Sequence, residues 1–110
     1  MKDKITIDDF AKIEIKMGTI LEAERVPETD RLIKCTVDLG EDENRTIVSG
    51  IAHLRKPEDL VGKQLPYITN LEPRTIKGVE SNGMLLAVGG DDSFALLHPD
   101  VEVEPGTAGK

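Results

Sequence analysis

This 110-residue sequence predicts an all-β fold, a small five-stranded barrel carrying short helices and a short C-terminal extension. Three observations predict it. Apolar and polar residues alternate with period two in several short stretches. Clusters of Gly, Pro, Asn and Asp separate those stretches as turns do. The helix-like segments are brief, one before the first strand and one after the third. With 38% hydrophobic residues the chain can bury one ordinary core, so residues 1–110 read as a single domain.

The first element is helical and short. Thr6 or Asp8 can cap residues 9–12, with acidic side chains in the first turn where the helix dipole favours them. Ile13, Ile15 and Met17 then alternate with Glu14 and Lys16, the pattern of a half-buried strand. After Gly18 the apolar positions shift to Ile20 and Leu21, which predicts a bulge or bend at the glycine. Pro27 to Asp30 ends the strand. The second strand is the clearest: Ile33, Cys35, Val37 and Leu39 point one way, Lys34, Thr36 and Asp38 the other. Cys35 reads as a small core residue, since no base or cation adjoins it on its own face. Residues 40–44 make an acidic turn and 45–51 a third strand. Pro57 opens a short helix that Gly62 closes. Residues 64–71 and 84–88 are strands four and five, with 93–97 and 101–103 as later strand candidates. The first few residues and the 106–110 tail read as loose. This order points to the oligonucleotide/oligosaccharide-binding (OB) barrel, with a Greek-key sandwich as the alternative.

Composition limits the chemistry. One cysteine excludes an internal disulfide and, with only His53 and His98 beside it, leaves no metal-ligand spacing. No phosphate-cradling loop is present, because Gly78 to Gly83 lacks a Lys-Ser/Thr partner and Gly89-Gly90 precedes two aspartates. No catalytic constellation, metal or cofactor is expected. Lys2 and Lys4 are not followed by an apolar leader, and no apolar run is long enough to span a membrane, so the expected location is cytoplasmic.

Five blocks then stand in order: Ile-Asp-Asp-Phe-Ala-Lys (7–12), Thr-Asp-Arg-Leu (29–32), Ile-Val-Ser-Gly-Ile (47–51), Asn-Leu-Glu-Pro-Arg (70–74) and Ser-Asn-Gly-Met-Leu-Leu-Ala (81–87). Together they resemble the tRNA-binding domain family, across about residues 7–107. That family includes the C-terminal domain or beta subunit of methionyl-tRNA synthetases and stand-alone bacterial tRNA-binding proteins. The resemblance implies an OB barrel acting as a homodimer. It would dock on the outer corner of folded tRNA and assist a synthetase without catalysing a reaction. A methionyl-tRNA synthetase catalytic subunit is the implied protein partner.

Charge has to be reconciled with that expectation, because 14 Lys and Arg stand against 21 Asp and Glu, a net charge of −7. Acidity opposes RNA binding. The imbalance is uneven: residues 61–90 hold three basic and two acidic groups and are net positive, while 1–60 and 91–110 are each net negative. Binding through this patch should be modest and salt-dependent. Its expected cations are Arg74 and Lys77, joined by Arg31 and Lys34 at the start of the second strand. Asn70, Ser81 and Asn82 are short groups able to hydrogen-bond phosphate or ribose, although Asn82-Gly83 is also plain turn chemistry. Met84 is either core or an apolar contact to a base or sugar. Single-stranded binding is poorly supported, since Phe10 and Phe94 read as core and only Tyr67 is left as a stacking platform. Folded RNA read through phosphates and 2′-OH groups needs no such platform. Two rival readings remain. CsaA-type secretion chaperones share the fold and several blocks, and would bind unfolded polypeptide. The chain could also serve as a dimerisation module of a synthetase.

Overall fold

The computed structural model describes all residues from Met1 to Lys110. The alternation of the second strand is realised in full as β2 (Ile33–Asp38), with Ile33, Cys35 and Val37 buried and their neighbours half-buried. It lies antiparallel between β3 (Arg45–Ser49) and β1 (Ile15–Arg25). The length of β1 lets it serve two neighbours. Its second half pairs with β2 and its first half with β4 (Gln64–Ile68), antiparallel in both cases. β7 (Met84–Leu85) follows on β4, giving the sheet order β3-β2-β1-β4-β7.

The barrel closes where β3 meets the segment entering β7. There the Asn82 N–H donates to the Thr46 carbonyl at 2.9 Å and the Val48 N–H to Ser81 Oγ at 2.9 Å. Ile20, Ile33, Leu39, Ile47, Leu65 and Tyr67 fill the interior, and Leu60 of α2 (Pro57–Leu60) packs into the same cluster. The result is the nearly closed five-stranded antiparallel barrel that the sequence predicts.

Several local expectations are corrected. The bulge in β1 falls at Leu21, between the paired residues Ile20 and Glu22, rather than at Gly18. Gly18 answers a different need. A Cβ there would lie 2.5 Å from Val37 Cγ1 and 3.0 Å from the Tyr67 ring, so the glycine lets the coiled sheet pack on itself. Tyr67 is 1% exposed and belongs to the core; it offers no stacking face. Phe10, expected in the core, sits exposed on α1 (Ile7–Phe10), a helix closed by a Thr6–Asp9 capping box and burying none of its residues. Phe94 does pack against the core, under the Arg55 guanidinium 5.1 Å from its ring centre.

Strand four ends at Ile68. The expected fifth strand divides at Leu86 into β7 and β8 (Ala87–Val88), and β8 pairs with β9 (Ala95–Leu96). Residues 101–103 form no strand. Instead the Gln64 side chain imitates one: Nε2 donates to the Val103 carbonyl at 2.6 Å while Oε1 accepts the Val103 N–H at 3.0 Å. The tail is bound as well. Gly106 N–H donates to the Met17 carbonyl at 2.7 Å, Met17 N–H to Thr107 at 2.8 Å and Gly109 N–H to Ile15 at 2.7 Å. A further hairpin, β5 (Arg74–Ile76) and β6 (Val79–Ser81), stands between the fourth and fifth strands that the sequence predicts. Its two-residue turn places Lys77 at φ 49° and Gly78 at φ 80°, the positive pair that a type I′ hairpin requires.

Burial has a consequence at alkaline pH. Desolvation raises the Cys35 thiol from an ordinary 9.0 to about 11, and Tyr67 is shifted upward too, by burial first and then by Cys35. The stability gained by keeping Cys35 neutral is complete below pH 9.0 and is lost as pH rises through about 11. It amounts to about 2–3 kcal/mol. Urea unfolding at a series of pH values should show the midpoint falling across this window, and falling less in Cys35→Ala.

Candidate nucleic-acid interface

The hairpin β5–β6 projects two cations. Arg74 stands at its base opposite Ser81 and Lys77 at its tip; both are exposed and neither is engaged in an ion pair. Met84, 39% exposed at the start of β7, lines the same surface as Arg74. The two side chains border a pair of adjoining concavities, one of about 490 Å³ reaching Leu71 and Pro73, the other of about 250 Å³ reaching Ser49, Gly50 and Gly89. Arg74 is the one cation lining them, with Glu72 on the rim of the larger and Lys77 further out at the hairpin tip. A free cation beside a partly apolar groove suits a phosphate backbone whose sugars and bases present apolar faces.

The remaining expected site residues divide sharply. Lys34 points outward as the alternation predicts, but Nζ lies 2.8 Å from Glu24 Oε1, its cross-strand partner. It lines a separate concavity with Glu22 and Thr36. Arg31 lies before β2, with Nη1 3.6 Å from Asp91 Oδ2 and 3.3 Å from His53 Nε2. Asn70 is exposed, but its amide is engaged by the chain: Nδ2 donates to the Lys12 carbonyl at 2.6 Å and Oδ1 accepts the Glu14 N–H at 2.8 Å. Both ends of that amide bolt the N-terminal segment to the end of β4. Ser81 is 3% exposed, its hydroxyl accepting from Val48 and donating to the Gly83 carbonyl at 3.4 Å. The serine of the fifth block therefore closes the barrel from beneath the surface. Ser81→Ala should leave the buried Val48 N–H without a partner and cost about 1–3 kcal/mol, read as a lower urea midpoint.

Asn82 opens on the other side of the hairpin, into the largest concavity, about 660 Å³, whose rim carries Glu41, Asp42, Glu43 and Glu80. The one cation there is committed. Arg45 Nε and Nη2 donate to the two oxygens of Glu41 at 2.8 and 2.7 Å, and Nη1 donates to the Thr69 carbonyl at 2.6 Å. The Arg45 hydrogen bond is the main cause holding the Glu41 carboxyl below its usual range. That wall repels phosphate, so the hairpin separates the flank carrying Arg74 from an acidic one.

Sequence reasoning overlooked His53 and Asp91, whose contact at 3.0 Å joins residues 38 apart. No local pattern announces it. No three His, Cys, Asp or Glu side chains converge as a metal site requires.

The family described as "Putative tRNA binding domain" matches residues 15–108. The chain belongs to this tRNA-binding domain family. Four of the five ordered blocks fall inside that match, and the first, 7–12, precedes it. The methionine–tRNA ligase of Methanococcoides burtonii is 51% identical over 107 residues, covering 96% of this chain and 16% of the ligase. The chain thus spans about a sixth of that relative's length. Among solved structures, a MetRS related protein from Pyrococcus horikoshii superposes with a TM-score of 0.92 at 38% identity, covering 99% of this chain and 100% of that one. The chaperone CsaA from Bacillus anthracis superposes at 0.87 with 28% identity, covering 98% and 100%. The barrel is thus similar both to part of methionine–tRNA ligases and to CsaA. No helix is long and apolar enough to cross a membrane.

Proposed function

We propose that this domain binds folded tRNA at its outer corner, through phosphate and 2′-OH contacts, and assists aminoacylation without catalysing a reaction itself. It would work in cis or in trans with a methionyl-tRNA synthetase. The observation that carries the reading is the pair of unpaired cations on one hairpin, Arg74 beside the exposed Met84 and Lys77 at the tip. Burial of Tyr67 strengthens the case against single strands, since the expected stacking ring is enclosed. Titration with tRNA and with an unstructured RNA of equal length, at about 50 and about 300 mM salt, tests it. Tighter binding to tRNA that weakens with salt supports the reading; equal binding of the two RNAs sinks it.

The domain acts as a homodimer in this reading. Ile7 and Phe10 of α1, with Ile13 beyond it, leave an apolar strip exposed at the N-terminus. A second copy covering that strip would also double the number of cations presented to one RNA. Sedimentation at micromolar concentration should give twice the chain mass, and the monomer mass would refute it.

The likeness to CsaA supports a second reading, capture of unfolded polypeptide on the apolar part of the groove at Leu71 and Met84. A presecretory peptide that displaces tRNA, or binds where tRNA does not, would favour it.

A further inference from the structure

Arg31 is the one expected site cation held by a carboxylate from a distant turn. The Gly89 to Phe94 turn joins β8 to β9 and carries Asp91 to Arg31 and His53. The Arg31 carbonyl accepts the Ala52 N–H at 2.8 Å, so the Arg31 loop and the turn bearing His53 are fixed to each other. Asp91 is not fixed in the same way. It reaches across from outside, and its contacts are to these two side chains.

The contact geometry is that of a replaceable partner. His53 Nε2 lies 3.0 Å from Asp91 Oδ1 and 3.3 Å from Arg31 Nη1. One ring nitrogen either donates to the carboxylate or accepts from the guanidinium, and cannot do both. When it donates to Asp91, Arg31 keeps only the other Asp91 oxygen, at 3.6 Å. That is well beyond the roughly 2.7–2.9 Å of a strong charge-assisted hydrogen bond. Lys34–Glu24 at 2.8 Å and Arg45–Glu41 at 2.7 Å are closed by comparison. The carboxylate is nonetheless well maintained: the His53 hydrogen bond first, then the charges of His53 and Arg31, hold Asp91 below its usual range.

We propose that Asp91 is an intramolecular stand-in for an RNA phosphate, occupying Arg31 until a backbone phosphate takes its place, with His53 as the positioning residue that keeps it there. Asp91 thereby lowers the affinity of the patch for any phosphate that is not delivered to Arg31 by the rest of the interface. This inference rests on the tRNA-binding reading above. It adds a residue that opposes binding to the residues that make it.

The test is a cycle of tRNA titrations at about 50 mM salt with wild type, Asp91→Asn, Asp92→Asn, Arg31→Ala and the Arg31→Ala/Asp91→Asn pair. Asp91→Asn should tighten binding by about two- to fivefold, the range an exposed ion pair supports. Asp92→Asn removes the same charge one residue along and should give clearly less. The gain from Asp91→Asn should vanish on the Arg31→Ala background. Equal gains from the two asparagine variants, or a gain that persists without Arg31, would overturn the gate. If wild type does not bind tRNA at all, the functional reading has failed, and the gate is decided on inorganic phosphate instead. The Arg31 Nε–H resonance should then respond more in Asp91→Asn than in wild type, and an identical response overturns it.

Discussion

Replacing Arg74 by alanine and Lys77 by asparagine together lowers tRNA affinity by at least about tenfold at about 50 mM salt. It also reduces the slope of log affinity against log salt by about two, close to one for each phosphate that is no longer neutralised. The fold should be unaffected, because both side chains are exposed and outside every ion pair. Asparagine is chosen at position 77 because that residue holds φ 49° in the hairpin turn, a region asparagine tolerates better than alanine. The change in slope is the decisive readout. A variant that merely disturbed the hairpin would weaken binding with no defined effect on counterion release. If affinity and slope both stay at wild-type values, the cations of the hairpin are bystanders.

The parts of this molecule legible in its sequence are those set by local pattern. β2 was legible because every second residue from Ile33 to Leu39 is apolar, and the same rule placed Lys34 on the outer face. Gly18 shows how one signal can carry two meanings. A strand glycine marks either a bulge or a close approach, and only the packing of Val37 and Tyr67 against it decides for the latter. The hairpin at Arg74 to Ser81 was hidden because three-residue strands are too short for periodicity, although Lys77-Gly78 between Ile76 and Val79 is a usable turn signal. The polar residues were hardest. Asn70 and Ser81 look suited to a ribose or phosphate. Their actual partners are backbone groups 56 and 33 positions away, which no local reading can supply. The free cations are the opposite case, since their availability depends on which acids the fold brings near. Arg31 meets Asp91 and Lys34 meets Glu24, while Arg74 and Lys77 meet none.

Tyr67 separates core from platform most directly. Alanine at this position should destabilise the domain by about 3–5 kcal/mol, the usual cost of removing a buried aromatic ring. For a domain whose whole stability is about 5–15 kcal/mol, that is a large share. The cost is high because the ring packs beside Gly18, its strand pairs Lys16 on one side and Leu85 on the other, and the side chain is 1% exposed. Leucine makes the decisive variant, since it keeps much of the apolar volume while abolishing any stacking. In urea, Tyr67→Leu should unfold earlier than wild type and later than Tyr67→Ala. At a temperature where it remains folded, its tRNA affinity should equal that of wild type. A stacked base is worth about 1–3 kcal/mol, so a ring that touched RNA would betray itself as a fivefold or greater loss in affinity. Such a loss in folded Tyr67→Leu would mean that the barrel opens to admit the RNA, and the interface drawn on the Arg74 hairpin would have to extend through the β4–β7 seam.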